Sequence, residues 1–382
     1  MSSKRSSSAG VLDERGDTVQ PALILFGGFL GSGKTTLMVE LGRRLSADGA
    51  TVAVITNDQG EDLVDTKFAV ASGIVASEVG SGCFCCNFST FVENITTMLK
   101  ERRPDYILAE PVGSCTDLVA TVLHPLSLFH RDLVMLAGYY VLVDAPRLLG
   151  EYRGLNLTTP ITPREVLISH QLQEAPRVLL SKCDLISGHE LEEATSWTAG
   201  LTRSPVDAVS VAGEASVGLE PLVAEITARK SIPLPDPVDV DYELYAAAEA
   251  EMGWYNGVAT LGSAEGCFAD ELATAVLLRI DRLTGVETLH AKALVNTEAG
   301  SVKASLVGGA IRADSVIAEP AQAQQLGLTL NVRAVMDKDE LGRELSRIVE
   351  ETADELGLEL ADYRYTSLIP GRPVPEHRIT GS

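Results

Sequence analysis

Gly28-Phe29-Leu30-Gly31-Ser32-Gly33-Lys34-Thr35 is the stretch on which the reading of this 382-residue chain turns. It matches G-x-x-x-x-G-K-[ST] where that pattern has a mechanism, after the apolar run Ala22 to Phe29 and before the helical pattern Lys34 to Ala47. Glycines let the backbone curl so that successive N–H groups converge on phosphate oxygens, and the start of the following helix adds positive potential. The expected nucleotide contacts are Gly28, Gly31, Ser32, Gly33 and Thr36 from the loop. Lys34 neutralises the β and γ oxygens and Thr35 ligates magnesium.

Outward from this loop, short apolar runs alternate with helical patterns: Thr51 to Thr56, Tyr106 to Ala109, Tyr139 to Val143 and Val178 to Leu180. Alternation of this kind predicts an α/β fold, a P-loop NTPase whose mainly parallel sheet is flanked by helices. Fully apolar runs such as Val52-Ala53-Val54-Ile55 fit strands covered on both faces. The register changes at Ile232-Pro233-Leu234-Pro235-Asp236-Pro237, where three prolines exclude a helix and a central strand. We therefore expect a flexible leader over 1–20, a P-loop domain over 21–230, a linker over 231–240, a smaller α+β domain over 241–368, and a flexible Pro- and Gly-rich tail over 369–382. Within the second domain the pattern predicts helices at Phe268 to Thr284 and Lys338 to Leu356, with strands at His290 to Asn296 and Leu328 to Val335.

A formal net charge of −22 argues against a phosphate-backbone binder, so no nucleic-acid partner is expected. The longest apolar candidate, Leu133 to Val143, falls short of the ~18 residues a membrane span needs, and Met1 to Gly10 lacks the apolar segment of a signal peptide. A cytoplasmic protein without a membrane partner is the expectation. The acidic block Asp236, Asp239, Asp241, Glu243, Glu249 and Glu251 is read as solvated linker surface.

Catalysis by a magnesium-dependent NTPase also needs an acid at the end of another strand. Asp58, after Val52 to Ile55, and Glu110, after Tyr106 to Ala109, both fit; with Lys34 they form the expected catalytic set, and both carboxylates are candidate magnesium ligands. Farther on, Ser181-Lys182-Cys183-Asp184 matches [NTS]-K-x-D. There Asp184 is placed to accept from the guanine N1 and N2 donors, which adenine lacks, while the Lys182 stem packs along the base; GTP is thus the expected nucleotide.

Cys83, Cys85 and Cys86 crowd three of six cysteines into the glycine-flanked loop Gly80-Ser81-Gly82-Cys83-Phe84-Cys85-Cys86. Such thiolates suit a soft metal, zinc, copper(I) or cobalt, although a redox switch would use the same groups. Three thiolates leave a tetrahedral ion one donor short, to be completed by water, by Glu61 or by a partner chain. Cys115, Cys183 and Cys267 are read as small core residues.

Taken together, Gly28 to Thr36, Gly82 to Cys86, Glu110-Pro111-Val112-Gly113 and Ser181 to Asp184 make the chain resemble the CobW-type GTPases of the SIMIBI class over residues 21 to 230. The resemblance implies a metal-regulated GTPase that hands zinc, cobalt or a related metal to a client metalloprotein. It further implies the Cys-x-Cys-Cys element as the metal site, Glu110 and Gly113 as an altered Walker B motif, and a homodimer across the nucleotide face. A slow GTPase serving as a metal-sensing regulator, or one assisting a corrinoid-dependent enzyme, are the alternatives it leaves open. Two departures stand out. The six histidines, at 124, 130, 170, 189, 290 and 377, form no metal-collecting tract, and Glu110-Pro111-Val112-Gly113 replaces the commoner Glu-Thr/Ser-x-Gly.

Overall fold

The computed structural model describes residues 11–12, 18–57, 64–71, 74–79, 83–150, 152–155, 157–158, 162–211, 217–307, 309–315 and 322–380. Of the expected leader, only residues 11–12 and 18–20 are among these; Val11–Leu12 pairs antiparallel with Thr18–Val19.

Seven strands form the first sheet: β1 (Ala22–Gly27), β2 (Val52–Asn57), β3 (Val75–Val79), β4 (Tyr106–Ala109), β5 (Met135–Asp144), β6 (Val178–Ser181) and β7 (Val206–Ala208). Their order is β3-β2-β4-β1-β5-β6-β7, every pairing is parallel, and the strand leading into the glycine loop is central. Alternation along β1 splits its side chains between two cores, Leu23 and Leu25 on one face and Ala22, Ile24 and Phe26 on the other. Helix α1 (Lys34–Ala47) covers the second face with Leu37, Met38, Leu41 and Leu45, at helical spacing. On the same side of the fold as Leu23 and Leu25, α3 (Phe88–Glu101), which follows the short α2 (Val64–Ala71), buries Phe88, Phe91, Ile95, Met98 and Leu99.

The second sheet is antiparallel: β8 (Gly253–Phe268), β9 (Glu287–Thr297), β10 (Gly300–Val307), β11 (Ala310–Ser315), β12 (Gln322–Val335) and β13 (Glu359–Leu368), in the order β11-β10-β9-β12-β8-β13. One face carries Ala291, Ala293, Val295, Ala304, Leu328, Leu330 and Val332 into a core closed by the helices Ala269–Asp281 and Lys338–Glu355. The opposite face is polar, with His290, Lys292, Lys303, Thr329, Asn331 and Arg333. Yet His290, Lys303, Thr329, Asn331 and Arg333 are buried. The first domain accounts for this: the Val64 N–H donates to Asn331 Oδ1 at 2.8 Å and Lys67 Nζ to Thr329 Oγ1 at 3.2 Å, so α2 lies on that face.

Two boundaries differ from the sequence expectation. The helix Tyr242–Ala250, N-capped by the Asp241 carboxylate, buries Tyr245 and Ala248 in the first domain's core and packs on Pro163–Glu174. The second domain's own framework therefore starts at Gly253. The tail expected to be flexible is bound instead. The Glu376 N–H donates to Cys85 O at 2.9 Å, the Ile379 N–H to Ala120 O at 2.9 Å, and Arg378 Nε to buried Asp117 Oδ2 at 2.7 Å. Backbone donors and a charged side chain that find acceptors there tie a Pro- and Gly-rich strap to the first domain.

Candidate functional site

The glycine loop has the curl that phosphate binding needs. Gly28 takes φ +123°, Gly31 +76° and Gly33 +90°, values open to glycine and strained for other residues. A Cβ at Gly28 would lie 2.2 Å from the Leu142 carbonyl oxygen. Lys34 Nζ folds back over the loop, donating to Gly28 O at 2.7 Å and Phe29 O at 3.4 Å.

Thr35 and Glu110 meet at the end of the glycine loop. Thr35 Oγ1 lies 2.9 and 3.0 Å from the two Glu110 carboxylate oxygens. Burial, and then the Asp65 carboxylate, lift Glu110 to about 7, against the pull of Lys34, Lys292 and the Thr35 hydroxyl. Beside them the Asn57 side chain is buried in the same cleft with neither its oxygen nor its nitrogen bonded. A hydroxyl, a carboxylate and an unpartnered amide oxygen are the hard donors magnesium takes, so this corner fits the ion. Asp58 and Glu61 lie outside the described residues.

Gly113 is required by contact: a Cβ there would sit 2.7 Å from Leu30 Cδ2 and 3.0 Å from the Leu30 nitrogen, so the segment after Glu110 presses directly on the glycine loop. Ser32 is buried, its carbonyl accepts from Ser181 Oγ at 2.7 Å, and Thr36 lines the cleft.

At the base end Asp184 and Lys182 both line the cleft. The positive φ of Lys182, 58°, turns its side chain back over the loop, where Nζ donates to Gly31 O at 2.8 Å and pairs with Asp144 Oδ2 at 2.5 Å. Burial lowers the Lys182 ammonium while Asp144 opposes that shift. Asp184 accepts from Ser210 Oγ at 2.5 Å and faces Arg312 of the second domain at 3.4 Å. The whole cleft encloses about 330 Å³, within the range of small-ligand sites.

The three clustered thiols also converge. Cys83 Sγ is 2.6 Å from Cys85 Sγ and 3.1 Å from Cys86 Sγ, and Cys85 to Cys86 is 3.8 Å. One tetrahedral ion with ~2.3 Å bonds spans thiolates about 3.8 Å apart, the separation of Cys85 and Cys86, so Cys83 has to draw back from both to share an ion with them. A turn closed by the Cys86 and Asn87 N–H groups on Cys83 O delivers them to the start of α3, where helix potential favours thiolate. Hydrogen bonds from Cys115, Cys85 and Cys86 hold the Cys83 thiol well below its ordinary value, and the same network raises Cys85. Cys86 is pushed up to about 12, chiefly by Cys83. Three close thiols share their protons, so one thiolate is held by its neighbours' S–H groups.

Three participants escaped the sequence reading. Cys115, taken as a plain core residue, lies near enough to the cluster to lower the Cys83 thiol and raise that of Cys85. Glu249, taken as part of a solvated acidic block, is buried beside the same cluster, accepts from Ser114 Oγ at 2.6 Å, and is raised by burial to about 8. The tail closes the open side: the Val374 N–H donates to Cys86 Sγ at 3.3 Å, and the His377 ring packs edge-on to Phe88. By contrast Cys183 and Cys267 are separate buried residues, as expected.

Among the described residues no helix is long and apolar enough to cross a membrane. Residues 22–205 match the family model described as the CobW/HypB/UreG nucleotide-binding domain. Over 90 residues the chain is 37% identical to the zinc chaperone YeiR of Escherichia coli K12, a match spanning 23% of this chain and 27% of that relative. Among solved structures, Zn(II)-bound YjiA GTPase from E. coli aligns at 16% identity over 88% of this chain and 99% of that one, with a TM-score of 0.37. HypB from Helicobacter pylori in complex with nickel aligns at 18% identity over 50% and 79%, with a TM-score of 0.34. Residues 22–205, which hold the glycine loop, the Thr35–Glu110 pair and the Ser181 to Asp184 turn, thus match the CobW/HypB/UreG nucleotide-binding domain.

Proposed function

We propose that this chain hydrolyses GTP with magnesium and couples that reaction to the holding and release of a transition metal, zinc before cobalt, for a client metalloprotein. The observation that carries this reading is the segment Glu110 to Cys115. Its first residue is bonded to Thr35 of the glycine loop, and its last lies near enough to Cys83 and Cys85 to shift both thiols. Gly113, between them, presses on Leu30. A shift of Glu110 on nucleotide exchange is thereby transmitted over five residues to the thiols.

Each residue has a separable task. Loop N–H groups and Lys34 bind and orient the phosphates, Lys34 exchanging its bonds to the loop carbonyls of Gly28 and Phe29 for phosphate oxygens. Thr35 and Glu110, with Asp58 beyond the described residues, would hold magnesium, which supplies charge neutralisation at the β and γ oxygens. Asp184 selects guanine, and buried surroundings make an unpaired carboxylate costly with any other base.

Cys83, Cys85 and Cys86 hold the cargo metal, and the thiol of Cys115, which shifts Cys83, would be the fourth donor once the ion draws it in. Four-thiolate coordination suits zinc, and the relative matched over 90 residues is named a zinc chaperone. Single-turnover GTP hydrolysis, measured with and without one equivalent of zinc, tests the reading. Zinc should change the rate in the unmodified chain and leave a Cys83→Ser, Cys85→Ser, Cys86→Ser triple variant unaffected; an equal zinc response in both contradicts it.

A further inference from the structure

The base end of the cleft has a wall from each domain. Asp184, Leu185 and Ser210 line it from the first, and Ser305, Ala310 and Arg312 from the second. Strand β11, the edge of its sheet, supplies Arg312 by simple alternation. Ile311 packs toward the second core, and Arg312, paired with Ser305 of β10, falls on the opposite, polar face.

Arg312 meets the first domain at the carboxylate that the Ser181 to Asp184 motif assigns to the base. Its two terminal nitrogens lie 3.4 and 3.5 Å from Asp184 Oδ2, while Asp184 Oδ1 accepts from Ser210 Oγ at 2.5 Å. As a tie between domains this pair is poor. Both distances are near the limit of a hydrogen bond and the Arg312 side chain stays 34% exposed, conditions under which an ion pair adds little stability. A guanidinium held so loosely has donors to spare for a second acceptor.

Guanine supplies one. With its N1 and N2 donors on Asp184, the neighbouring base atoms are O6 on one side and N3 on the other, and both are acceptors. A guanidinium on the same carboxylate therefore meets an acceptor whichever way the base lies, and its planar fork can hold Asp184 and the base together. Adenine presents the reverse pattern along that edge, with an acceptor at N1 and a donor at N6.

We propose that Arg312 completes the guanine subsite from the second domain, binding the base together with Asp184. This rests on the GTP reading above and deepens it, adding a specificity-determining residue from outside the P-loop domain. GTP and GDP carry the same base, so the contact registers occupancy by either and fastens the edge strand of the second sheet to the first domain.

The test is affinity for GTP, GDP and ATP, with magnesium, in the full chain and in Arg312→Ala and Arg312→Lys variants. Arg312→Ala should weaken GTP and GDP by the same factor, about tenfold, the loss of one charge-assisted hydrogen bond, and ATP by much less. Arg312→Lys, which keeps the charge and loses the fork, should recover part of that loss. Unchanged GTP affinity in Arg312→Ala makes the residue a mere domain tie, and tighter binding makes it a plug that the base expels; either overturns the proposal. An equal loss for ATP overturns it as well, as a general disturbance of the cleft.

Where ATP binds too weakly to measure, hydrogen exchange decides the matter. GDP should slow exchange in residues 309–315 of the unmodified chain relative to the nucleotide-free protein, and should slow it less in Arg312→Ala. Identical exchange with and without GDP overturns the assignment, as does equal slowing in the variant. An unmodified chain that binds neither GTP nor GDP overturns the GTP reading itself, an outcome distinct from all of these.

Discussion

Thr35 Oγ1 lies within 3.0 Å of both carboxylate oxygens of Glu110, joining the glycine loop to a strand end 75 residues away. Because burial leaves that carboxyl near 7, ion binding there is linked to proton loss. The folded value lies above the ordinary carboxylate value, so the neutral form is favoured without the ion, and magnesium must displace a proton below pH 7. Magnesium-dependent GTP affinity should fall about tenfold per pH unit below 7 and level off above it. In Glu110→Gln the affinity should be low and flat over the same range; a titration series from pH 5.5 to 8.5 checks this.

Gly113→Ala should damage the nucleotide site without unfolding the domain. Its Cβ would sit 3.0 Å from the Leu30 nitrogen, so the glycine loop has to shift. Nucleotide affinity should drop by about tenfold or more, as sub-ångström misplacement of binding groups does elsewhere. Gly200→Ala, in a helix with no atom within 4 Å of the new Cβ, should leave affinity unchanged and stabilise the chain slightly, by up to about 1 kcal/mol. Calorimetric titration and thermal melts separate the two effects.

The C-terminal strap should shield the thiols. Arg378→Ala leaves the Asp117 carboxylate, fully buried, with the Tyr242 hydroxyl but without its cation, at a cost of about 1–3 kcal/mol. Deleting residues 370–382 removes the N–H groups on Cys86 Sγ and Cys85 O as well. Both changes should speed modification of Cys86 by a thiol reagent, the deletion by more, whereas Cys267, in the second domain's core, should react at its original rate.

Cys115 should count in the metal stoichiometry and Cys183 should not. The Cys115 thiol shifts that of Cys83, while Cys183 Sγ donates to the Leu180 carbonyl at 2.8 Å. Cobalt(II) substitution reports the donor set through its thiolate charge-transfer absorption. Cys115→Ser should lower that absorption by about a quarter if four thiolates bind the ion, and Cys183→Ser should leave it unchanged.

The glycine loop, Glu110 and Ser181 to Asp184 were legible because each is a local pattern at the end of an apolar strand, where backbone geometry alone dictates residue type. Helix and strand positions in the second domain were legible for the same reason, as the helix Ala269–Asp281 and the strand Glu287–Thr297 illustrate. What packing between distant segments creates was not. Lys292 and Lys303 carry no local motif that singles them out, and only the first domain's placement against their strands turns that face into a cleft wall. Glu249 sits in an acidic run whose neighbours are exposed, and its burial comes from helix Tyr242–Ala250 docking onto the first domain. The tail misled through its composition, since prolines and glycines report an absence of regular structure and say nothing of the acceptors a strap finds.

Coupling between nucleotide and metal is the centre of this account, and zinc affinity measured in two nucleotide states tests it most directly. With the full chain saturated by a non-hydrolysable GTP analogue and magnesium, or by GDP and magnesium, competition against a zinc chelator should give affinities that differ by at least about fivefold, the lower bound of ordinary allosteric coupling. Equal zinc affinity in the two states would contradict it.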